Sequence, residues 1–239
     1  MGWPNNFVQG VYNSNNELIA VQDGAGGQIG LAATYTWATK PLASAYVGSA
    51  FISDIGGGTY WVSNGVRWKP LNNNLTYYDL SAYVESAAIT SGTPIVIHSV
   101  LIPSGVWQNG DILNIPFFAV KMNGTVDTIS PYLYFSTTSG VIGTRSDNTY
   151  FPPLAGTATR TFGAHRIRRL SSTSFEILNN YNSGVGGAST TTVYTTTGLP
   201  NLDNDFYLQV GAFRSAGASG GETLRLVSLQ INIESNPSI

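Results

Sequence analysis

The sequence predicts an all-β chain: small N-terminal hairpin modules followed by a jelly-roll-like β-sandwich head. Three observations predict it. Apolar and polar residues alternate at period two along several short runs, and no run sustains a helical period. Stretches rich in Gly, Ser, Thr and Asn separate those runs, as turns between strands require. Only 10% of the 239 residues are charged, against 42% hydrophobic, where about a quarter charged is usual. Neutral hydrogen-bonding groups must therefore cover the surface. That suits β-structure in an assembled setting better than a lone cytosolic monomer, which relies on charge for solubility.

Composition divides the chain into three sections. Residues 1–38 contain Gly24, Gly26, Gly27 and Gly30 and a small hairpin over 11–21. Residues 39–72 form a compact β unit. There Asn64-Gly65 lies between Tyr60-Trp61-Val62-Ser63 and Val66-Arg67-Trp68-Lys69, and a two-residue Asn-Gly loop predicts a type I′ hairpin. Counting outward sets Ser63 opposite Val66, Val62 opposite Arg67 and Trp61 opposite Trp68. Asn72-Asn73-Asn74 makes a polar joint, and residues 73–239 fit one sandwich of about eight strands.

Within that sandwich a short helix is expected over 79–88. Residues 95–102 and 112–122 are mostly apolar on both faces and read as central strands. Asn123-Gly124 predicts a second hairpin, with Met122 opposite Thr125 and Val120 opposite Asp127. Phe175 and Ile177 flank Glu176. Phe206, Leu208, Val210 and Ala212 alternate with Tyr207, Gln209 and Gly211, and Val227, Leu229, Ile231 and Ile233 alternate with Ser228, Gln230, Asn232 and Glu234. Each reads as a half-buried strand.

Composition also excludes function classes. A net charge of -2 from 11 basic and 13 acidic residues leaves no basic stripe, so neither nucleic-acid binding nor a polybasic membrane contact is expected. No cysteine is present, which removes thiolate catalysis, cysteine-based zinc sites and disulfides. The first residues have no basic start and no apolar run, unlike a secretory signal. The longest apolar stretch, 95–102, is broken by His98 and Ser99 and falls far short of the ~20 residues that span a bilayer.

The candidate chemical motifs are weak. Gly24-Ala25-Gly26-Gly27-Gln28-Ile29-Gly30 misses the dinucleotide spacing, since Ile29 stands where the third glycine belongs. Asn201-Leu202-Asp203-Asn204-Asp205 places oxygens at alternate positions but lacks the glycine and distal glutamate of a calcium loop. It reads as a polar turn, with an adventitious cation near Asp203 and Asp205 as the alternative. His98 sits in an apolar run as a hydrogen-bonded core or interface residue, and His165 adjoins Arg166. No nucleophile elbow and no nominated acid pair exist, so no catalytic residue, metal or cofactor is expected.

Arg160, Arg166, Arg168 and Arg169 form the only basic cluster. On a strand, Arg166 and Arg168 point one way and Ile167 and Arg169 the other. They suit an anionic-glycan contact, an intersubunit salt bridge or a charged edge that blocks strand addition. The polar loops 136–151 and 179–197 supply Tyr150, Tyr181 and Tyr194 as candidates for stacking on sugar rings.

The stretch Ser49-Ala50-Phe51-Ile52-Ser53-Asp54-Ile55-Gly56-Gly57-Gly58-Thr59-Tyr60-Trp61-Val62-Ser63-Asn64-Gly65-Val66-Arg67-Trp68 resembles a small module of tailed-bacteriophage fibre and structural proteins, with paired tryptophans around an Asn-Gly turn. Ile102-Pro103-Ser104-Gly105, Asn109-Gly110-Asp111 and the closing strand 224–234 make the remainder similar to the sandwich tips of trimeric phage fibres and decoration proteins. The resemblance implies a homotrimeric, non-enzymatic virion component. Residues 1–38 would attach it to other virion proteins, 39–72 would form a neck with Trp61, Trp68, Asn64 and Gly65 as its structural residues, and 73–239 would adhere to a bacterial surface glycan. It is equally compatible with a capsid decoration protein, a cement or head fibre.

Overall fold

The computed structural model describes residues 9–12, 18–22, 28–30, 33–71, 73–90, 92–124, 127–151, 153–155, 157, 159–182, 192–195, 199–216 and 221–236. Among these it contains eighteen strands, one 3-10 turn at Ala43–Ala45 and no α-helix. They belong to two compact units, residues 1–72 and 73–239.

The first unit opens with β1 (Gln9–Tyr12), β2 (Leu18–Gln22) and β3 (Gln28–Gly30), an antiparallel sheet in that order. Val11 pairs with Ala20 across the expected hairpin. A second sheet runs β4 (Ala33–Tyr35), β5 (Val47–Ile52), β6 (Thr59–Asn64) and β7 (Trp68–Pro70). β4 joins β5 in parallel, so this sheet reaches back to residue 33. Its core is aromatic. Trp61 is fully buried against Trp37, ring centroids 4.7 Å apart, and Trp68 stacks on Tyr46 at 5.2 Å and donates its indole N–H to the Pro41 carbonyl.

The register of the β6–β7 hairpin differs from the one that a two-residue turn predicts. Ser63, not Trp61, lies opposite Trp68, and Trp61 faces Pro70. The cause is Asn64, whose side-chain carbonyl accepts from the N–H groups of both Val66 and Arg67. This local cap favours a longer loop, with Gly65 at φ 86°. The two indoles still share a face, diagonal to each other, Trp68 stacked on Tyr46 and Trp61 packed at a tilt against Trp37. Asp54 pins the other end by accepting from the Trp37 N–H at 2.7 Å. The Gly56-Gly57-Gly58 turn that follows has φ of 60°, 73° and 95°, a backbone that only glycine adopts readily.

The second unit is a sandwich. β8 (Asn74–Asp79), β10 (Ile95–Ile102), β11 (Ile112–Met122), β12 (Thr128–Ser136), β13 (Thr144–Tyr150), β14 (Arg160–Arg169), β17 (Phe206–Ala216) and β18 (Thr223–Glu234) form its frame. β9 (Val84–Glu85) pairs with β18, and β15 (Ser174–Asn182) and β16 (Thr192–Thr195) extend one sheet beyond β14. The sheets run β16-β15-β14-β11-β18-β8 and β10-β17-β12-β13. Of the eight frame strands the first pairs with the last, the second with the seventh, the third with the sixth and the fourth with the fifth. That is the winding of a jelly roll, which places consecutive connections across the two ends of the sandwich.

Aromatic rings fill the space between the sheets. Phe135 of β12 stacks on Phe175 of β15 at 5.1 Å, Phe151 stacks on Phe117 of β11 at 3.9 Å, and Trp107 closes one end against Phe206 at 6.1 Å. Each such side chain, withdrawn from water, contributes roughly 1.5–3 kcal/mol.

Four sequence expectations need correction here. The Asn123-Gly124 turn closes no hairpin: β11 pairs with β14 and β18, and the chain after Met122 crosses to the other sheet. No helix forms over 79–88, where the end of β8 and β9 lie instead. β10 is an edge strand, while β17, which reads as half-wet, is central and buried along most of its length. Finally, the loops 136–151 and 179–197 contain β13, the end of β15 and β16.

Trp68→Ala removes a 4%-exposed ring together with its hydrogen bond to Pro41. The expected cost to the small unit is about 3–5 kcal/mol. Denaturant titration of the full chain checks it; a loss below about 1 kcal/mol shows that the ring is not core.

Candidate functional site

The four arginines separate by face. β14 lies between β11 and β15, so the cluster does not guard an edge. Arg166 and Arg168 point outward. Each meets a carboxylate: Arg166 reaches across β11 to Glu234 of β18 at 2.5 Å, and Arg168 pairs with Glu176 of the adjacent β15 at 2.7 Å. Arg160 stands exposed at the start of the strand. Arg169 turns inward and is 2% exposed. Its guanidinium donates to the carbonyls of Trp107, Leu202 and Ser171 and pairs with Asp203. Its fork is spent on binding three loops together, so it does not face an external anion.

The same contacts account for the acidic turn. Asp203 answers Arg169, and Asp205 accepts from the backbone N–H of Ser104 at 2.8 Å. Both carboxylates close a loop. Among the described residues no group of three or more His, Asp or Glu is placed to hold a metal.

His98 faces the interior of edge strand β10, and its Nε2 lies 2.6 Å from the Tyr78 hydroxyl of β8, the edge strand of the other sheet. Burial holds the imidazole pKa below its ordinary value, and burial with Asp79 nearby pushes the Tyr78 phenol up. The neutral pair stitches the two edges. His165 is buried beside Phe151 at 4.6 Å.

Tyr150, Tyr181 and Tyr194 lie in β13, β15 and β16, opposite Tyr132, Ala164 and Phe175. Their side chains fall outside the described residues. The backbone does not bring the three together: Tyr150 belongs to the four-stranded sheet, and Tyr181 and Tyr194 to the seven-stranded one.

A different cluster occupies the outer face of the four-stranded sheet. On β12, Tyr132 and Tyr134 both point away from the core, because Leu133 and Phe135 point in. On β17 the outward residues are Gln209, Gly211 and Phe213. Tyr132 and Phe213 stack at 5.5 Å, and the Arg145 guanidinium lies 4.4 Å over Tyr132 and 5.1 Å over Phe213. Residues 137–143 fold back over the sheet and are held by Gln209. Its side chain donates to the carbonyls of Thr138 and Val141 and accepts from the Gly143 N–H. Gly211 makes room for the Tyr134 ring, whose Cε2 would lie 2.8 Å from a Cβ there.

The result is a cleft of about 350 Å³ lined by Pro94, Tyr134, Ile142, Arg145 and Phe213, with Gly92 and Gly143 at its rim. The Tyr134 hydroxyl is sealed from solvent beside the Arg145 guanidinium. Burial raises its pKa, and the nearby Arg145 charge partly offsets that rise. The signal for this cluster lies in Pro131-Tyr132-Leu133-Tyr134-Phe135: aromatic residues on both faces of one strand cannot all be core.

The outer face of the seven-stranded sheet is different again. Ile112, Pro116, Phe118, Val120 and Met122 of β11 are its outward residues, all half-exposed. Phe162, 53% exposed, lies opposite Phe118, and the bulged Val227 adds to the patch.

No protein-family model matches the chain, and no curated protein matches it. Among solved structures it is similar to the structure of infectious bursal disease virus, Gt strain, with 11% identity and a TM-score of 0.30 over 74% of this chain. The chain spans 43% of that chain's length.

Two predictions follow from this geometry. Arg169→Ala leaves Asp203 and three carbonyls without their donor, and a loss of about 3–5 kcal/mol is expected; urea unfolding of the full chain measures it. For His98, the folded-state pKa lies below the unfolded one. The stabilisation is therefore complete above about pH 6.5 and is lost as the pH falls below it. His98→Gln keeps a neutral partner for Tyr78 and should flatten the fall in melting temperature between about pH 7.5 and 5. An unchanged slope refutes the assignment.

Proposed function

We propose that the chain is a virion fibre or receptor-binding structural protein of a tailed bacteriophage, homotrimeric, adhering to a glycan on the host surface without catalysis. The observation that carries this reading is the preformed cleft on the four-stranded sheet. Stacked aromatics and one cation sit there on rigid strands, an arrangement that binds rather than transforms a ligand. Sugar rings stack on such faces, and weak sites repeated on one rigid assembly gain by avidity.

The trimer is supported by the outer face of β11. A central strand with apolar residues on its solvent side exposes a contiguous patch, which soluble monomers rarely leave uncovered. The few outward charges nearby are of both signs, Arg166 with Glu234 and Arg225 with Glu85. A second copy therefore meets no net repulsion. The first unit, with its aromatic core and separate sheets, suits attachment to other virion proteins.

Light scattering tests the assembly. The full chain is expected to be trimeric at micromolar concentration, and Phe118→Asp should shift it toward monomer without unfolding it. Host-cell binding and competition with phage adsorption test the adhesion. If a folded trimer neither binds cells nor blocks adsorption, adhesion fails and capsid decoration takes its place.

A further inference from the structure

We infer that Lys121 and Asp127 form a self-modification site, at which the lysine amine condenses with the aspartate carboxyl to an intramolecular isopeptide bond. Glu222 carries the proton. The inference is independent of the adhesion reading and concerns the crossover from β11 to β12.

Placement comes first. Lys121 faces inward near the end of β11, opposite Leu224 of β18. Asp127 immediately precedes β12, and Glu222 immediately precedes β18. The three are 2%, 0% and 1% exposed. The Lys121 Nζ lies 2.9 Å from the Asp127 carbonyl oxygen, and the Asp127 N–H donates to Glu222 Oε1 at 3.0 Å. Those two peptide groups flank the Asp127 Cα, and the Asp127 carboxyl carbon is two bonds from that atom. Amine, acyl carbon and second carboxylate are thus gathered around one residue. Their surroundings are apolar: Leu154, whose carbonyl accepts from Nζ at 3.4 Å, Leu224, and Ile89, whose N–H donates to the Glu222 carbonyl, are each at most 1% exposed. The chain at Gly124 passes so close over Glu222 that a Cβ there would lie 2.5 Å from Oε1, which closes the group off from water.

Chemistry follows from that placement. Away from water an ammonium and a carboxylate lose their hydration, and the neutral amine–acid form gains on the ion pair. One Lys121 proton passes to the Asp127 carboxylate. The Nζ lone pair attacks the Asp127 carboxyl carbon, and the C–N bond forms. Glu222 takes a second proton from the nitrogen and returns it to the departing hydroxyl, so the C–OH bond breaks and one water leaves. No co-reactant is consumed. Arg214 Nη1 stands 3.7 Å from Asp127 Oδ2, beside the oxygens on which negative charge develops. Holding the two reactants in one site makes the step unimolecular. The product exchanges two buried charges for one neutral amide and clips the end of β11 to the start of β12. The loop so closed is short, so the bond fixes the crossover more than it constrains the unfolded chain.

Intact mass spectrometry of the purified, folded full chain tests the inference. The chain should be lighter than its sequence mass by one water. Trypsin should fail to cut after Lys121, and fragmentation of the resulting peptide should show residues 121–127 closed into a ring. Glu222→Gln keeps an oxygen to accept from the Asp127 N–H but carries no proton, and it should retain the full sequence mass. Lys121→Arg keeps a cation in place of the amine and should retain it as well. The inference falls if the folded unaltered chain has its full sequence mass, if the water is lost at another residue, if the amide joins Lys121 to Glu222, or if Glu222→Gln is cross-linked as completely as the unaltered chain. The unaltered chain decides by its own mass, so a variant that fails to fold does not spare the inference.

Discussion

β11 must be covered on both faces, and much of the larger unit follows from that constraint. Leu113, Ile115, Phe117 and Ala119 point inward and are at most 3% exposed, while Ile112, Pro116, Phe118, Val120 and Met122 point outward. The inner face takes the four-stranded sheet as its cover. Backbone pairing on both sides fixes the strand at the centre of its own sheet, with β14 on one flank and β18 on the other. Pro116 has no N–H to give, and the ladder with β18 is interrupted there between Asn114 and Phe117. A bulge at Phe118 follows and turns Val227 outward, out of phase with Leu229, Ile231 and Ile233. Apolar surface thus gathers around Phe118, Phe162 and Val227, with the Arg166–Glu234 pair toward one end of the outer face and the Arg225–Glu85 pair toward the other.

A jelly roll sends its connections across the ends of the sandwich, where no ladder holds them. This chain fixes both ends with buried charge. At one end Arg169 binds the loops that carry Trp107, Ser171 and Leu202. At the other, Lys121 donates to the Asp127 and Leu154 carbonyls, and Glu222 accepts from the Asp127 N–H where the chain crosses between sheets. Burying an ion costs several kcal/mol unless hydrogen bonds replace its water. Here they do, and backbone carbonyls that would otherwise be orphaned gain donors in return.

The period-two pattern made the fold class and most strands legible, because burial on one face is a local property of a strand. Strand neighbours were not legible. Residues 95–102 and 206–212 carry similar apolar content, yet one is an edge and the other central, since rank in a sheet depends on which strand arrives beside it. The Asn64-Gly65 turn was visible, but its register was not, because the Asn64 side chain competes with the strand ladder for Val66 and Arg67. For the site, Arg166 and Arg168 were placed on the right face, and the inward fate of Arg169 was half visible in its pairing with Ile167. The Arg145 cluster was missed because its members come from β12, β13 and β17, far apart in sequence.

The location of the charges gives the low charge content its physical meaning. Of the chain's 11 basic and 13 acidic residues, seven are buried among the described residues: Arg67, Asp111, Lys121, Asp127, Arg169, Glu176 and Glu222. A chain that spends so many of its ions inside is not using them for solubility. Its outer surface is left to neutral hydrogen-bonding groups and to half-exposed aromatic and aliphatic side chains, which tolerate contact with another surface at little desolvation cost.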